Sequence, residues 1–146
     1  DDVMTSTVAK NGDIYYTNLS KKFRTYYSPK MNGKYPKSLE AEIKFGAHAF
    51  ISPSQDYLIV DSRNKENKNQ KVDLYVYFKK KDGSWTNPIN FGTTVNSKFD
   101  EAVATVTPDG KYLIFSRRTI GNELNLYWVS TEIISKLKTA YFKKNK

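Results

Sequence analysis

The stretch "TPDGKYLIF", Thr107–Phe115, decides how this chain is read, because a looser version of it, "SPSQDYLIV", already stands at Ser52–Val60. Working outward gives three aligned segments: "TVAKNGDIYYT" from Thr7 to Thr17, "FISPSQDYLIVD" from Phe50 to Asp61, and "TVTPDGKYLIFS" from Thr105 to Ser116. Each reads as a strand, a tight turn and a strand. Pro108-Asp109-Gly110 presets φ with proline and offers glycine at a left-handed position. Asn11-Gly12 is a hairpin signal in which both central residues take positive φ. The second segment has no turn glycine, so either Gln55 carries the left-handed position or the turn is of another type.

A third strand is expected after each hairpin, in "FRTYYS" from Phe23, "VDLYVYF" from Val72 and "NLYWVS" from Asn125. In two copies a further glycine turn follows, and Tyr35 and Trp85, two residues after Gly33 and Gly83, are expected to open a fourth strand. The unit is then a four-stranded meander. Runs such as "YLIV" and "YLIF" are apolar without alternation, as suits strands covered on both faces. Four-stranded units recurring every roughly 40–55 residues are the signature of β-propeller blades. Blades are expected at about 1–45, 46–98 and 99–130. After "NLYWVS" the chain reads "TEIISKLK", a short helix over 131–138 capped by Ser130 or Thr131, with a basic tail over 139–146.

Composition agrees with an all-β domain. Of 146 residues 38% are hydrophobic and 27% charged, with eleven Tyr and eight Phe, side chains that pack well on pleated surfaces. The net charge of +9 comes from 24 Lys and Arg against 15 Asp and Glu. The lysines are spread through turns and the loop "RNKENKNQK", with no arginine-rich helix or nucleic-acid module, so a solvated surface is expected and no nucleic-acid partner. Cysteine is absent, which excludes disulfides, thiolate chemistry and Cys-based zinc sites. No run of about 18 apolar residues is present to span a membrane. The opening "DDVMTSTV" has no basic and apolar leader pattern, which suggests a processed or excised piece of a longer product.

The segments "FDEAVATVTPDGKYLIFSRR" and "NLYWVS", with the connecting "DLYVYFKKKDGSWTNPINFGTTVNS", resemble the TolB-like propellers built from WD-like repeats, over about Val3 to Lys138. The resemblance implies a non-catalytic, exported propeller of the bacterial periplasm or cell surface that presents surfaces to protein partners or ligands. One departure is that the second copy has Gly46-Ala47 where the third has Asp100-Glu101. Three blades are fewer than the about four to eight that close a ring. The chain is therefore expected to be the C-terminal half of a roughly six-bladed propeller, or a half that pairs with a second copy as a homodimer.

In a blade the start of the first strand and the end of the second share one face of the disk. That places Asp2, His48, Asp100 and Glu101 with Asp61, Arg63, Arg117 and Arg118 around a mixed-charge channel mouth, the expected binding site, with Trp85 as an additional rim aromatic. The competing account is that Asp100 and Glu101 pair with Arg117 or with an arginine of a neighbouring blade and hold blades in register. His48 is the sole histidine, so no His-based metal site is expected, and no cofactor. Asp82 and Asp109 belong to glycine turns. There is no G-x-S-x-G elbow, and adjacent Asp100 and Glu101 point to opposite faces of a strand, which is wrong for a glycosidase pair. A non-enzymatic binding or scaffold module is expected, the alternative being an accessory propeller domain of a peptidase or glycan-degrading hydrolase whose catalytic part lies outside these residues.

Overall fold

The computed structural model describes residues 1–64 and 71–145. Among the described residues, eleven strands form three antiparallel, blade-like sheets in chain order. Sheet 1 is β1 (Val3–Val8), β2 (Ile14–Asn18), β3 (Arg24–Ser28) and β4 (Leu39–Glu40). Sheet 2 is β5 (Ala47–Ile51), β6 (Tyr57–Arg63), β7 (Val72–Phe78) and β8 (Ile89–Asn90). Sheet 3 has three strands, β9 (Asp100–Val106), β10 (Tyr112–Arg118) and β11 (Leu124–Ser130), and is followed by helix α1 (Glu132–Lys144). No described helix is long and apolar enough to cross a membrane.

The three-fold repetition is closer in backbone than in sequence. The first strand of each sheet carries a one-residue bulge at the same place. Met4 pairs with Thr17 and Thr7 with Tyr15; Ala47 with Asp61 and Phe50 with Ile59; Ala102 with Ser116 and Thr105 with Ile114. The residue after Met4, Ala47 and Ala102 is left-handed each time: Thr5 at φ 45°, His48 at 45° and Val103 at 53°. A β-branched residue in that region costs of order 1–3 kcal/mol, so the surrounding sheet must impose it. This register makes Gly46, not Ala47, the equivalent of Glu101, one residue from the correspondence expected on sequence.

The turns follow from local chemistry with two corrections. Gly110 is left-handed at φ 74° and so is Gln55 at φ 57°. The strain at Gln55 is offset by its side chain, which accepts from the Tyr15 hydroxyl at 2.9 Å and donates to Asp13 at 3.1 Å on the neighbouring sheet. In the first turn only Gly12 has positive φ, at 92°, because the loop is longer than two residues: the Ala9 amide donates to Asp13 O and the Gly12 amide to Ala9 O. A three-residue loop needs a single left-handed position, which glycine fills. The glycine turns at Gly33 and Gly83 make only the isolated bridges Met31↔Lys34 and Lys79↔Trp85. The fourth strands therefore begin later than Tyr35 and Trp85, at Leu39 and Ile89.

Sheets stack face on face in chain order. Sheet 2 lies in the middle, and Leu58, Ile59 and Val60 on its β6 are all buried, which accounts for the unbroken apolar run. One core joins sheets 1 and 2 through Tyr15, Leu58, Val60, Tyr75 and Tyr77, and the other joins sheets 2 and 3 through Ile59, Leu74, Val76, Leu113 and Phe115. Helix α1 adds Ile134 to the second core, and its Lys138 pairs with Asp56 at 2.9 Å, tying the helix to the sheet 2 hairpin. The helix runs past the expected end at Lys138 to Lys144. Thr131 sits at its N-cap position, but its hydroxyl bonds to the carbonyls of Gly110 and Lys111, and the Glu132 amide reaches Ser130 Oγ instead, at 3.3 Å.

Gly46, at φ 137°, accepts the Thr25 hydroxyl of sheet 1 at its carbonyl and has no room for a side chain at this junction: a Cβ there would overlap Val60 on β6 of its own sheet. Gly46→Ala is expected to lower stability by about 2–4 kcal/mol, from the clash and the backbone conformation together. Urea denaturation measures this; a change under about 0.5 kcal/mol would mean that the junction is looser than described.

Candidate functional site

The bulges bring the sequence candidates together at one end of the sheets. Asp61, near the end of β6, is almost fully buried. Its carboxylate lies 2.7 Å from His48 Nδ1 and accepts the Val103 amide at 2.9 Å. One carboxylate thus holds the bulge of its own sheet through a side chain and the bulge of the next sheet through the backbone. The hydrogen bond to Asp61 raises His48 above its ordinary value of 6.5, outweighing the opposing effect of burial. A raised value in the folded state means that the pair contributes its full stability below about pH 6.5, and that this is lost as the pH rises through the folded value.

Asp100, at the start of β9, accepts the Val72 amide at 2.9 Å and so fastens sheet 3 to the beginning of β7. Its neighbour Glu101 points the other way, as alternation along a strand demands, and is 0% exposed. There Arg117 Nε donates to Glu101 Oε1 at 2.6 Å, the Ser97 amide donates to Oε2 at 3.0 Å, and the second arm of Arg117 reaches Val95 O at 2.9 Å. The guanidinium also covers the ring of Tyr127, 4.2 Å from its centroid. Glu101 and Arg117 therefore clasp β9, β10 and the preceding linker, and Glu101 is not presented at the rim, because its charge is satisfied inside.

What remains open is a cavity of about 410 Å³ between sheets 2 and 3, with His48, Asp100, Val103, Ser116, Arg118 and Leu124 among its lining residues. Arg118 and Arg63 are exposed. Asp2, at the corresponding start of β1, donates its amide to Ser20 Oγ at 3.0 Å. Of the "RNKENKNQK" loop, residues 65–70 lie outside the described residues.

Trp85 is elsewhere. It lines a cavity of about 580 Å³ between sheets 1 and 2, with Asp13, Tyr27, Glu42 and Lys79. Lys79 Nζ sits 4.2 Å over the indole centroid, so that ring face is occupied from within the chain. Asp82 and Asp109 make the expected turn bonds, Asp82 to Ser84 and Asp109 to Thr107 and Lys111. Among the described residues no group of three His, Asp or Glu is arranged to hold a metal ion.

The Val103 amide escaped the sequence reading, since nothing about a valine announces a left-handed bulge. The signal available was positional: Val103 stands two residues before Thr105, as His48 stands two before Phe50. No family model matches this chain, and no curated protein matches it.

Asp61→Asn removes the charge that holds both bulges. It is expected to cost about 2–3 kcal/mol, as loss of hydrogen bonds to a buried charged group does. The His48 titration, followed by NMR, should return toward 6.5; an unmoved His48 value would show that Asp61 is not its controlling partner. Arg117→Met strands a buried carboxylate and should cost about 3–5 kcal/mol, whereas the double variant Glu101→Gln/Arg117→Met should recover most of that loss. Equal losses in the single and double variants would dismiss the ion-pair account.

Proposed function

We propose that this chain is a non-enzymatic, propeller-type binding or scaffold module that offers the cavity at the bulge end of its sheets to a protein partner or small ligand. The observation that carries the reading is the division of labour among the charged residues. Asp61, Glu101 and Arg117 are turned inward and satisfied, while Arg118 and the imidazole of His48 line the open cavity beside Asp100. Such a surface is rigid, because both bulges beneath it are fixed by one carboxylate, and it is polar at its wall with Leu124 and Val103 as apolar contacts. Preformed concave sites with a few placed polar groups are the usual form of ligand and peptide sites.

The resemblance to TolB-like propellers supports the same reading and suggests the bacterial periplasm or cell surface as its location, with a protein as the more natural partner. The arrangement also disfavours acid/base catalysis. Asp61 and Glu101 are spent on structural bonds, and the sole histidine gives its Nδ1 to Asp61 with no hydroxyl nucleophile bonded to it among the described residues.

A cavity flanked by Arg118 and a histidine of raised basicity should prefer a carboxylate-bearing segment. Titrating acidic peptides into the isotopically labelled chain is expected to shift the His48 ring and Val103 amide signals saturably, more strongly at pH 6 than at pH 8, and Arg118→Glu should abolish the effect. Shifts scattered over the lysine-rich turns and erased by about 0.3 M salt would reduce the interaction to surface charge.

A further inference from the structure

Both junctions pair the same two types of sheet face, and one face of each type is left uncovered, on sheet 1 and on sheet 3. In sheet 1 the side chains of Tyr15 and Tyr27 face sheet 2; in sheet 2 those of Ile59, Leu74 and Val76 face sheet 3. Strand pairing makes these positions equivalent, since Tyr15 pairs with Tyr27, Ile59 with Val76 and Ile114 with Trp128. Two pairs further along the strands, and so on the same face, Thr17 is opposite Thr25, Asp61 opposite Leu74 and Ser116 opposite Leu126. Thr25 and Leu74 are covered by the next sheet and are 1% and 0% exposed; Leu126 is 78% exposed and Trp128 66%. Tyr112 and Leu124 extend the same bare face. Scattered exposed apolar residues need no explanation, but a contiguous face whose two equivalents are buried does.

The complementary half is at the other end. Phe115 and Tyr127 form a stacked cross-strand pair, centroids 6.1 Å apart, on the side of sheet 3 that is seated on sheet 2. Tyr16 and Tyr26 form the same pair at the same register, 6.3 Å apart, on the side of sheet 1 that has no neighbour. The backbone hook of the first junction has a spare copy as well. Thr7 Oγ1 donates to Ala49 O at 3.2 Å and accepts the Ile51 amide at 3.0 Å, latching β1 to β5. The residue equivalent to Thr7 in sheet 3 is again a threonine, Thr105, and it is exposed. The residues equivalent to Ala49 and Ile51 in sheet 1 are Ser6 and Val8, also exposed. Because the Ala9 amide turns inward to Asp13 O, alternation turns the Val8 amide outward, as it does for Ile51.

We infer that the open face of sheet 3 receives sheet 1 of a second copy of this chain, and that two copies close a six-sheet ring through two such junctions related by a two-fold axis. Leu126 and Trp128 of one protomer cover Tyr16 and Tyr26 of its partner, with Thr105 hooked on the strand around Val8. The occupant is a second copy because the surface needed is one this chain demonstrably makes: each of its own two junctions pairs the same two types of face, and one of each type is left over. Six sheets fall inside the about four to eight that close a ring, and closure leaves no unpaired face to continue into a filament. The partner's sheet then also borders the cavity at His48 and Arg118, because Ser116 and Leu124 belong both to the cavity lining and to the bare face. The inference rests on the sheet geometry and stands apart from the peptide-binding reading.

The chain has no cysteine, so engineered pairs report cleanly. Light scattering on a sizing column should give twice the 16.8 kDa chain mass, and Leu126→Asp should return it to a single chain mass. Leu126 is exposed within the protomer, so the near-ultraviolet circular dichroism of that variant should be unchanged. Under oxidation, Thr105→Cys mixed with Val8→Cys should form a disulfide between two different chains, while either variant alone should stay uncrosslinked. A monomer at all concentrations would overturn the proposal and leave the face to a partner of another kind. A dimer untouched by Leu126→Asp, a disulfide formed by Thr105→Cys alone, or assemblies larger than two chains would overturn it equally, each implying a different contact.

Discussion

The middle sheet of this protein is apolar on both faces, and both are covered by its neighbours; that packing governs almost everything else in the structure. A half-buried antiparallel sheet solves its solvation problem by alternation. Here "YLIV" in β6 does not alternate, and its residues are hidden only because sheet 1 lies on one side and sheet 3 on the other. The sheets therefore cannot be understood singly. Their faces come in two kinds, and the register of the strands determines which kind meets which.

The bulge in the first strand of each sheet recurs at the same place in all three. One extra residue on the first strand bends it and increases its twist, and it turns a backbone amide toward the neighbouring sheet. Between sheets 2 and 3 that amide, from Val103, is taken up by Asp61. Between sheets 1 and 2 the equivalent carboxylate position is Thr17, whose buried hydroxyl has no hydrogen-bond partner, and the latch is instead Thr7 of β1, bonded to Ala49 and Ile51 of β5. The two junctions thus reach the same geometry with different chemistry. Burial of a charge at Asp61 is tolerable only because a histidine and an amide satisfy it, and this arrangement also fixes the basicity of the one histidine in the chain.

The charged residues at the bulge end separate into two populations by burial. Glu101 and Arg117 resemble rim residues in sequence, adjacent to Asp100 and Arg118 respectively, yet a shift of one position along a strand moves a side chain from solvent to core. The pair that remains outside, Asp100 and Arg118, is directly opposed across β9 and β10. Alternation along the strand makes one member of each dipeptide structural and leaves the other available to a ligand.

The sequence by itself determined the repeat, the three hairpins, the left-handed glycine at Gly110, the all-β class and the helix after Ser130, because turn chemistry and apolar runs are local properties. It also determined that Asp100 and Glu101 part to opposite faces, since the strand period is two. It could not determine where the fourth strands begin, because Leu39–Glu40 and Ile89–Asn90 are two residues each and carry no pattern of their own; pairing with β3 and β7 creates them. It could not show the bulges either, as Thr5, His48 and Val103 share no residue type and take up a disfavoured conformation only under pressure from the sheet. The identity of the buried carboxylates and the bare face around Leu126 were likewise decided in three dimensions, because burial depends on which sheet lies next, and that is a property of the stack.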